Sequence, residues 1–287
     1  MSGRFIIQQT SKNYQNNISV YLLQTSIKNF NHTYMKKIFL TVVILFAIVS
    51  LNAQQTYIKY EFMKQLPGQN YEKLEQSWVN YHKELMNAGI INVHRVWKVL
   101  PGNNVDFDYI VMTSYNNYAD ALGIGKSISV DDFKSKYPED YKVMSSSTYS
   151  TRTMVRDLIL KLDLGISDPG FEVIPGKSVL NMIFVKSKNE KYDAAEMKFS
   201  KKWHQFAIDK KRKDAFYFSH TVGSGGINID ISNIISHLYK NIDQLTNATT
   251  DDIKFTPQEQ TEFNQLLNYR DLTKSLVLLN VMNLEKP

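Results

Sequence analysis

Beyond residue 54, apolar and polar positions follow first a strand period and then a helix period. Residues 56–64 are rich in Tyr, Ile and Phe and indicate a strand that ends at Pro67-Gly68. Residues 70–87 place an apolar or aromatic side chain at every third or fourth position, which is typical of one face of an amphipathic helix. Gly89 follows as a stop signal, so a strand and then a helix open this part of the chain.

A β-hairpin, a helix and a strand are predicted next. Residues 91–100 and 105–115 are strand-like and are joined by Pro101-Gly102-Asn103-Asn104, a turn sequence. A helical region follows at 131–147, broken at Pro138, and a strand at 152–162.

The second half of the chain predicts the same order of elements. Its signals are a strand at 179–185, a helix at 190–210, strands at 215–222 and 227–235 around the turn 223–226, a helix from the capping box Thr256-Pro257-Gln258-Glu259 to Tyr269, and a strand at 272–281. Pro175-Gly176 separates the halves.

An offset of 121 residues aligns the two halves. The matched positions are Tyr71 with Tyr192, Glu75 with Glu196, Trp78 with Phe199, Gly102 with Gly223, and Tyr118 with Tyr239. The fold class is therefore predicted as α+β, with two tandem ferredoxin-like βαββαβ units at 54–165 and 177–287 and a linker at 166–176. Helices cover one face of each sheet, and the other face is too apolar to be exposed to water. We therefore expect the two units to bury their uncovered faces against each other in an intramolecular α/β barrel.

This order of elements resembles the dimeric α/β-barrel superfamily in a tandem, fused form. That superfamily includes small monooxygenases of antibiotic biosynthesis, haem-degrading monooxygenases, and NIPSNAP-like and EthD-like domains. The resemblance implies a ligand between the sheets or between sheet and helices. Haem-degrading members use an Asn, Trp and His set; Trp78 and His82 share a helix here, but no matching Asn is found, and no residue role is carried over.

Residues 35–53 predict a signal peptide. Met35-Lys36-Lys37 is followed by a short apolar run over 38–49 and by Ala53 at a plausible cleavage point. Because a signal peptide normally begins a chain, we expect that residues 1–34 are a non-native extension upstream of the true start. The protein is then exported, to the periplasm or the extracellular space, and the mature chain has no stable membrane span.

Composition and charge exclude several classes of function. The sequence has no cysteine among its 287 residues, which excludes disulfide, Cys-metal and Cys-nucleophile chemistry. The net charge of +6 arises mostly before residue 54, where five of the 34 basic residues lie without an acid; 29 bases then face 28 acids in the remainder. The basic run at 210–213 is interpreted as a solvated helix end, so no nucleic-acid partner is expected.

The candidate ligand-binding residues are Lys59, Glu61, Trp78, His82, Arg95, Trp97 and His204. Strand alternation places Lys59 and Glu61 on one face, whereas the offset of 121 pairs them with apolar Leu180 and Met182. If this face lines the barrel, it forms a polar pocket with Arg95 and Trp97 in the first unit only. His82 and His204 lie near matching points of the two first helices and could act as acid or base at a pocket rim.

The sequence indicates architecture better than chemistry. No histidine spacing indicates a metal site, and no cofactor is predicted. We expect a small, partly apolar ligand in the barrel of a monomer whose two units form an internal pseudo-dimer. The alternatives are a non-enzymatic envelope interaction module and a cofactor-independent monooxygenase or isomerase. A cavity of several hundred cubic ångströms would favour ligand chemistry, whereas filled sheets and an exposed apolar patch would favour the interaction module.

Overall fold

A computed structural model describes residues 55–225, 230–248 and 254–286. The signal peptide predicted at 35–53 and the extension at 1–34 lie outside these residues. Eight strands are present in the described part, with bounds β1 Tyr57–Gln65, β2 Ile91–Val99, β3 Tyr109–Tyr115, β4 Arg152–Ser167, β5 Val179–Ser187, β6 Ala215–Gly225, β7 Asn233–Tyr239 and β8 Arg270–Glu285. The helices are α1 Tyr71–Asn87, α2 Tyr118–Ala121, α3 Val130–Lys136, α4 Pro138–Thr151, α5 Tyr192–Asp209, α6 Ile242–Thr246 and α7 Pro257–Asn268.

The eight strands close into one antiparallel barrel in the order β1-β3-β2-β8-β5-β7-β6-β4. Each half contributes four neighbouring strands. The halves join at two seams, where β2 pairs with β8 and β4 pairs with β6. The α+β fold of two ferredoxin-like halves is thereby confirmed.

Local sequence signals explain most element ends. The Asn70 side chain accepts a hydrogen bond from the Lys73 amide and begins α1, and Gly89 follows the helix at φ 68°. Pro138 occupies the first turn of α4, where its missing N–H costs nothing, so the predicted break lies between α3 and α4. The Thr256 capping box is present at the start of α7.

The structure differs from the predicted elements at three places. β4 and β8 each extend to 16 residues, well past the predicted strands, because they form the seams between halves. The strand predicted over 227–235 is β7 at Asn233–Tyr239, and β6 runs on through the predicted turn to Gly225. The short helices α2 and α6 were not predicted.

The core has an inner and an outer layer. Inside the barrel, Ile58, Tyr60 and Phe62 of β1 pack with Leu180, Met182 and Phe184 of β5. Outside, α1 packs on the sheet through Tyr71 and Leu74, and α5 packs through Tyr192 in the second half. Both sheet faces are therefore buried, as the apolar strands predicted. No helix among the described residues is long and apolar enough to cross a membrane.

Candidate functional site

A cavity of about 150 Å³ lies inside the barrel, and side chains from all eight strands line it. Most of the wall is apolar, with Ile58, Met112 and Leu238 among the lining residues. Cavities of this size and character can accept a benzene-sized molecule. The cavity is smaller than the several hundred cubic ångströms expected for ligand chemistry.

Arg95 stands at one end of this cavity and is held by β8. Its Nε donates to Asn283 Oδ1 at 2.8 Å, and an Nη donates to Glu285 Oε2 at 2.9 Å. The Arg95 side chain is 11% exposed and that of Glu285 is 52% exposed, so the pair spans from the interior to solvent. β2 and β8 are neighbours only because the barrel closes, so the fold itself creates this pair.

Trp97 presents a hydrogen-bond donor without a partner. It is 1% exposed, it lines the cavity, and its Nε1 has no hydrogen-bond partner among the described residues. A buried N–H without an acceptor carries a desolvation cost of about 1–3 kcal/mol. An acceptor atom that reaches Nε1 from the cavity would remove that cost.

The two tyrosines of the cavity remain protonated at neutral pH. Burial raises the pKa of Tyr60 to about 12, although the hydroxyl of Ser236 and the charge of Arg95 oppose the shift. Burial also raises the pKa of Tyr217. Both hydroxyls can donate or accept hydrogen bonds, but neither is poised to act as a base.

Lys59 and Glu61 do not reach this cavity. They pair with each other at 3.0 Å, and Lys59 lies 3.7 Å from Asp157. Because Ile58 and Tyr60 of the same strand face the interior, Lys59 and Glu61 face outward. The structure thus separates them from Arg95 and Trp97.

The wrong face of β1 was assigned to the barrel interior because the halves were aligned at an offset of 121. Tyr60 and Met182 both face inward, so β1 and β5 correspond at the even offset of 122. A shift of one residue in a strand exchanges its two faces. The contrast between a polar first unit and an apolar second unit therefore compared opposite faces.

Trp78 and His82 lie in the layer between α1 and the sheet, away from the barrel cavity. The His82 ring stacks on His94 of β2 with centroids 3.5 Å apart, and Trp78 stacks beside it at 6.0 Å. Burial lowers the pKa of His94 to about 3, with a contribution from Arg152, and burial also lowers the pKa of His82. Both imidazoles are neutral at physiological pH.

His204 lies in the equivalent layer of the second half. Its ring stacks on Phe216 with centroids 3.7 Å apart. The Nζ of Lys213 lies 3.1 Å from His204 Nδ1 and 2.6 Å from His237 Nδ1. Burial lowers the pKa of Lys213 to about 7 and that of His204 to about 2.

Sequence analysis did not identify Glu75 or His94 as candidate site residues. Ligand atoms of Glu75, His82 and His94 all lie within 4.8 Å of one another. Glu75 and His82 are seven residues apart, which is two helical turns and one face of α1, and this spacing could have been noticed. His94 joins them only through the packing of α1 on β2, which no local spacing reveals.

A wider opening of about 320 Å³ lies among residues of β1, β4, β5, β8 and the neighbouring loops. Its wall includes Asp106 and Arg156, which form a two-pronged hydrogen-bonded pair at 2.7 and 2.8 Å. Phe62 and Phe184 close its floor, with ring centroids 6.1 Å apart. Because its charged groups all have partners already, with Asp230 bonded to Lys186 and Lys274 to the Asn104 carbonyl, this opening is a weaker candidate than the cavity.

Comparison with known proteins relates the chain to others by structure alone. No protein-family model and no curated protein matches it by sequence. A protein from Lactobacillus acidophilus NCFM, provisionally named a monooxygenase, superposes with a TM-score of 0.52 at 10% identity over 81% of this chain and 97% of its own. A protein from Fusobacterium nucleatum subsp. nucleatum ATCC 25586, also provisionally named a monooxygenase, gives a TM-score of 0.54 at 12% identity over 82% of this chain and 96% of its own. At such identities the likeness establishes the fold, and the chain has the dimeric α/β-barrel fold, closed within a single polypeptide.

Proposed function

We propose that this protein binds a small, largely apolar molecule with one hydrogen-bond acceptor inside its barrel. The observation that carries the proposal is Trp97, which lines a mostly apolar cavity and whose buried Nε1 has no hydrogen-bond partner among the described residues. The volume suits a single aromatic ring with a small polar substituent.

Binding is favoured over catalysis at this position. The titratable side chains of the wall are Tyr60, Tyr217, Arg95 and Glu285. Burial keeps both tyrosines protonated at neutral pH, and Arg95 and Glu285 are joined to each other. General acid–base catalysis needs a group that titrates near the working pH, so the cavity supports the binding hypothesis better than the monooxygenase or isomerase alternative.

Phenol and benzene form a matched pair of probes for the cavity. Phenol offers an acceptor oxygen to Trp97 and benzene does not. The sequence has three tryptophans, so a ¹H–¹⁵N spectrum resolves three indole signals. We expect phenol to shift one indole signal in a saturable way and to bind about threefold to tenfold more tightly than benzene, as one neutral hydrogen bond would give.

Two substitutions assign the signal and control the measurement. Trp97→Phe removes the donor and is expected to abolish the preference for phenol. Trp203→Phe is the matched control, because Trp203 lies on α5 against Phe255, outside the cavity. If no indole signal responds to either probe, or if the preference survives Trp97→Phe, the proposal is wrong.

We also propose that the protein is exported and acts as a monomer. The apolar segment at 38–49 behind Lys36 and Lys37 supports export. N-terminal sequencing of the protein from the cell envelope should find a chain that begins near Gln54, and a chain that keeps residues 35–53 would contradict export. Light scattering of the purified protein should return the mass of one chain.

A further inference from the structure

The layer between α1 and the sheet holds two imidazoles and one carboxylate. Glu75 is 3% exposed and His94 is 1% exposed, and Glu75 Oε2 lies 3.9 Å from His94 Nε2. One ring nitrogen of His82 belongs to the same group, in which all ligand atoms lie within 4.8 Å of one another. This cluster is separate from the barrel cavity and has no part in the proposed binding of an aromatic ligand.

One ring nitrogen of each histidine is left without a hydrogen-bond partner among the described residues. His82 Nδ1 and His94 Nε2 are both inaccessible to solvent and have no hydrogen-bond partner among the described residues. The other ring nitrogen of His94, Nδ1, lies 3.1 Å from Thr113 Oγ1. When Nδ1–H donates to this hydroxyl, the lone pair of Nε2 faces Glu75. A metal-binding histidine is ordinarily oriented by such a hydrogen bond from its other nitrogen.

In the second half, a side chain of the protein itself supplies the hydrogen-bond partner of the histidines in the corresponding layer. There His204 stacks on Phe216, as His82 stacks on His94. Lys213, three residues before Phe216, provides its amine to both His204 and His237. The residue three before His94 is Ile91, which has no donor group. The first half therefore lacks the amine that bonds to both histidines in the second half.

The two halves also differ in the hydrogen bonds that their buried carboxylates accept. Glu196 accepts hydrogen bonds from Arg270 and from Ser200. In the first half, Arg152 takes the place of Arg270, but its Nη1 is directed to Met63 Sδ at 2.7 Å instead of to the carboxylate. Glu75 therefore has no guanidinium bonded to it among the described residues, unlike Glu196.

We propose that Glu75, His82 and His94 form a binding site for one divalent transition-metal ion. Two imidazoles and one carboxylate are the ligands of mononuclear Zn²⁺ and Fe²⁺ sites that keep one or more positions open for water. In a tetrahedral site with bonds of about 2.0–2.1 Å, the donor atoms lie about 3.3 Å apart. The separations between donor atoms, now up to 4.8 Å, therefore need to shorten by up to about 1.5 Å, with the stacked rings tilting so that their lone pairs converge.

Cobalt is the probe of choice, because Co²⁺ in a low-coordinate site has strong visible absorption. The untagged full-length protein, treated with a chelator and then titrated with Co²⁺, should bind one ion per chain with a visible spectrum that Zn²⁺ removes. His82→Gln and Glu75→Gln should each lose this spectrum. His204→Gln is the matched control at the corresponding point of α5 and should keep it.

Thermal unfolding covers the case in which a variant folds poorly. Zn²⁺ should raise the Tm of the wild-type protein and of His204→Gln, but not that of His82→Gln.

Arg152 is the cation whose charge acts on all three residues of the cluster, so Arg152→Gln should tighten Co²⁺ binding severalfold. Absence of stoichiometric Co²⁺ binding in the wild-type protein, or equal loss in His82→Gln and His204→Gln, would overturn the proposal. Neither result bears on the binding of phenol in the barrel.

Discussion

The amine of Lys213 lies 2.6 Å from Nδ1 of His237, in a layer where Lys213 itself is only 8% exposed. Burial lowers the pKa of this amine from 10.5 to about 7. When the pH lies between these two values, Lys213 is protonated in the unfolded chain and has lost that proton in the folded chain. The free energy of unfolding therefore rises with pH across this window, and the cost of burying the charge is fully present below about pH 7.

Lys213→Met should flatten this dependence of stability on pH. Urea unfolding across pH 7 to 10 is expected to show the wild-type stability rising by a few kcal/mol relative to the variant. Lys201→Met, at an exposed position of α5, serves as the control and should follow the wild type. Parallel curves for Lys213→Met and the wild type would contradict the lowered pKa. His204 titrates in a separate window below pH 6.5 and does not interfere.

Breaking the ion pair of Glu196 and Arg270 should be costly, since the side chains are 3% and 11% exposed. Glu196→Ala leaves a buried guanidinium without its anion and is expected to lower the free energy of unfolding by about 3–5 kcal/mol. The double variant with Arg270→Met should recover most of that loss, as measured by urea denaturation.

An exposed pair offers the comparison for this experiment. Lys186 and Asp230 are 45% and 73% exposed, and Asp230→Ala should cost less than about 1 kcal/mol. Equal losses for Glu196→Ala and Asp230→Ala would show that burial of the first pair has no energetic consequence.

Gly165 leaves room for the ring of Tyr217 beside the cavity. The two residues are directly paired between β4 and β6, and a Cβ at Gly165 would lie 3.2 Å from Cδ1 of that ring. Gly165→Ala should push the ring toward the cavity, cost about 1 kcal/mol of stability and weaken phenol binding severalfold, measured by the indole shift.

Gly170→Ala is the matched control for this substitution. The nearest atom to a Cβ at Gly170 is Asp168 Oδ1 at 3.9 Å, so neither stability nor phenol binding should change. Unaltered phenol binding in Gly165→Ala would mean that Tyr217 does not shape the cavity.

The capping box of α7 gives a further prediction. The Thr256 hydroxyl accepts from the Glu259 amide, while the Glu259 carboxylate accepts from the Thr256 amide. Thr256→Ala should lower the free energy of unfolding by about 1 kcal/mol. Thr261→Ala, on the same helix with its hydroxyl bonded to a carbonyl, should change it by less than about 0.5 kcal/mol.

Local signals predicted much of this fold because they act within a few residues. The break at Pro138 depends on a missing N–H, and the start of α7 depends on a hydroxyl three residues from its acceptor amide. Alternation also showed that Lys59 and Glu61 share a face. Which face lies inside a barrel is decided by strands far away in the sequence, and a slip of one residue in the internal alignment gave the opposite answer.

The candidate sites were less predictable for the same reason. Arg95 and Trp97 were identified, but their cavity depends on closure of β2 against β8. Glu75 and His82 could be placed on one face of α1 from their spacing. His94 and Lys213 enter their clusters through contacts between a helix and the strand beneath it, and a sequence pattern contains no information on which residues meet there.

The seam between β2 and β8 has a consequence for the way this protein reaches its native state. Val96 pairs with Met282, and the seam extends to Glu285. The barrel cannot close until β8 has joined the sheet, so a first half that folds earlier keeps an unpaired strand edge at β2. Contacts of such long range slow folding and leave edges open to aggregation in the meantime. Pairing of β2 with β8 should therefore be a late step in the folding of this protein.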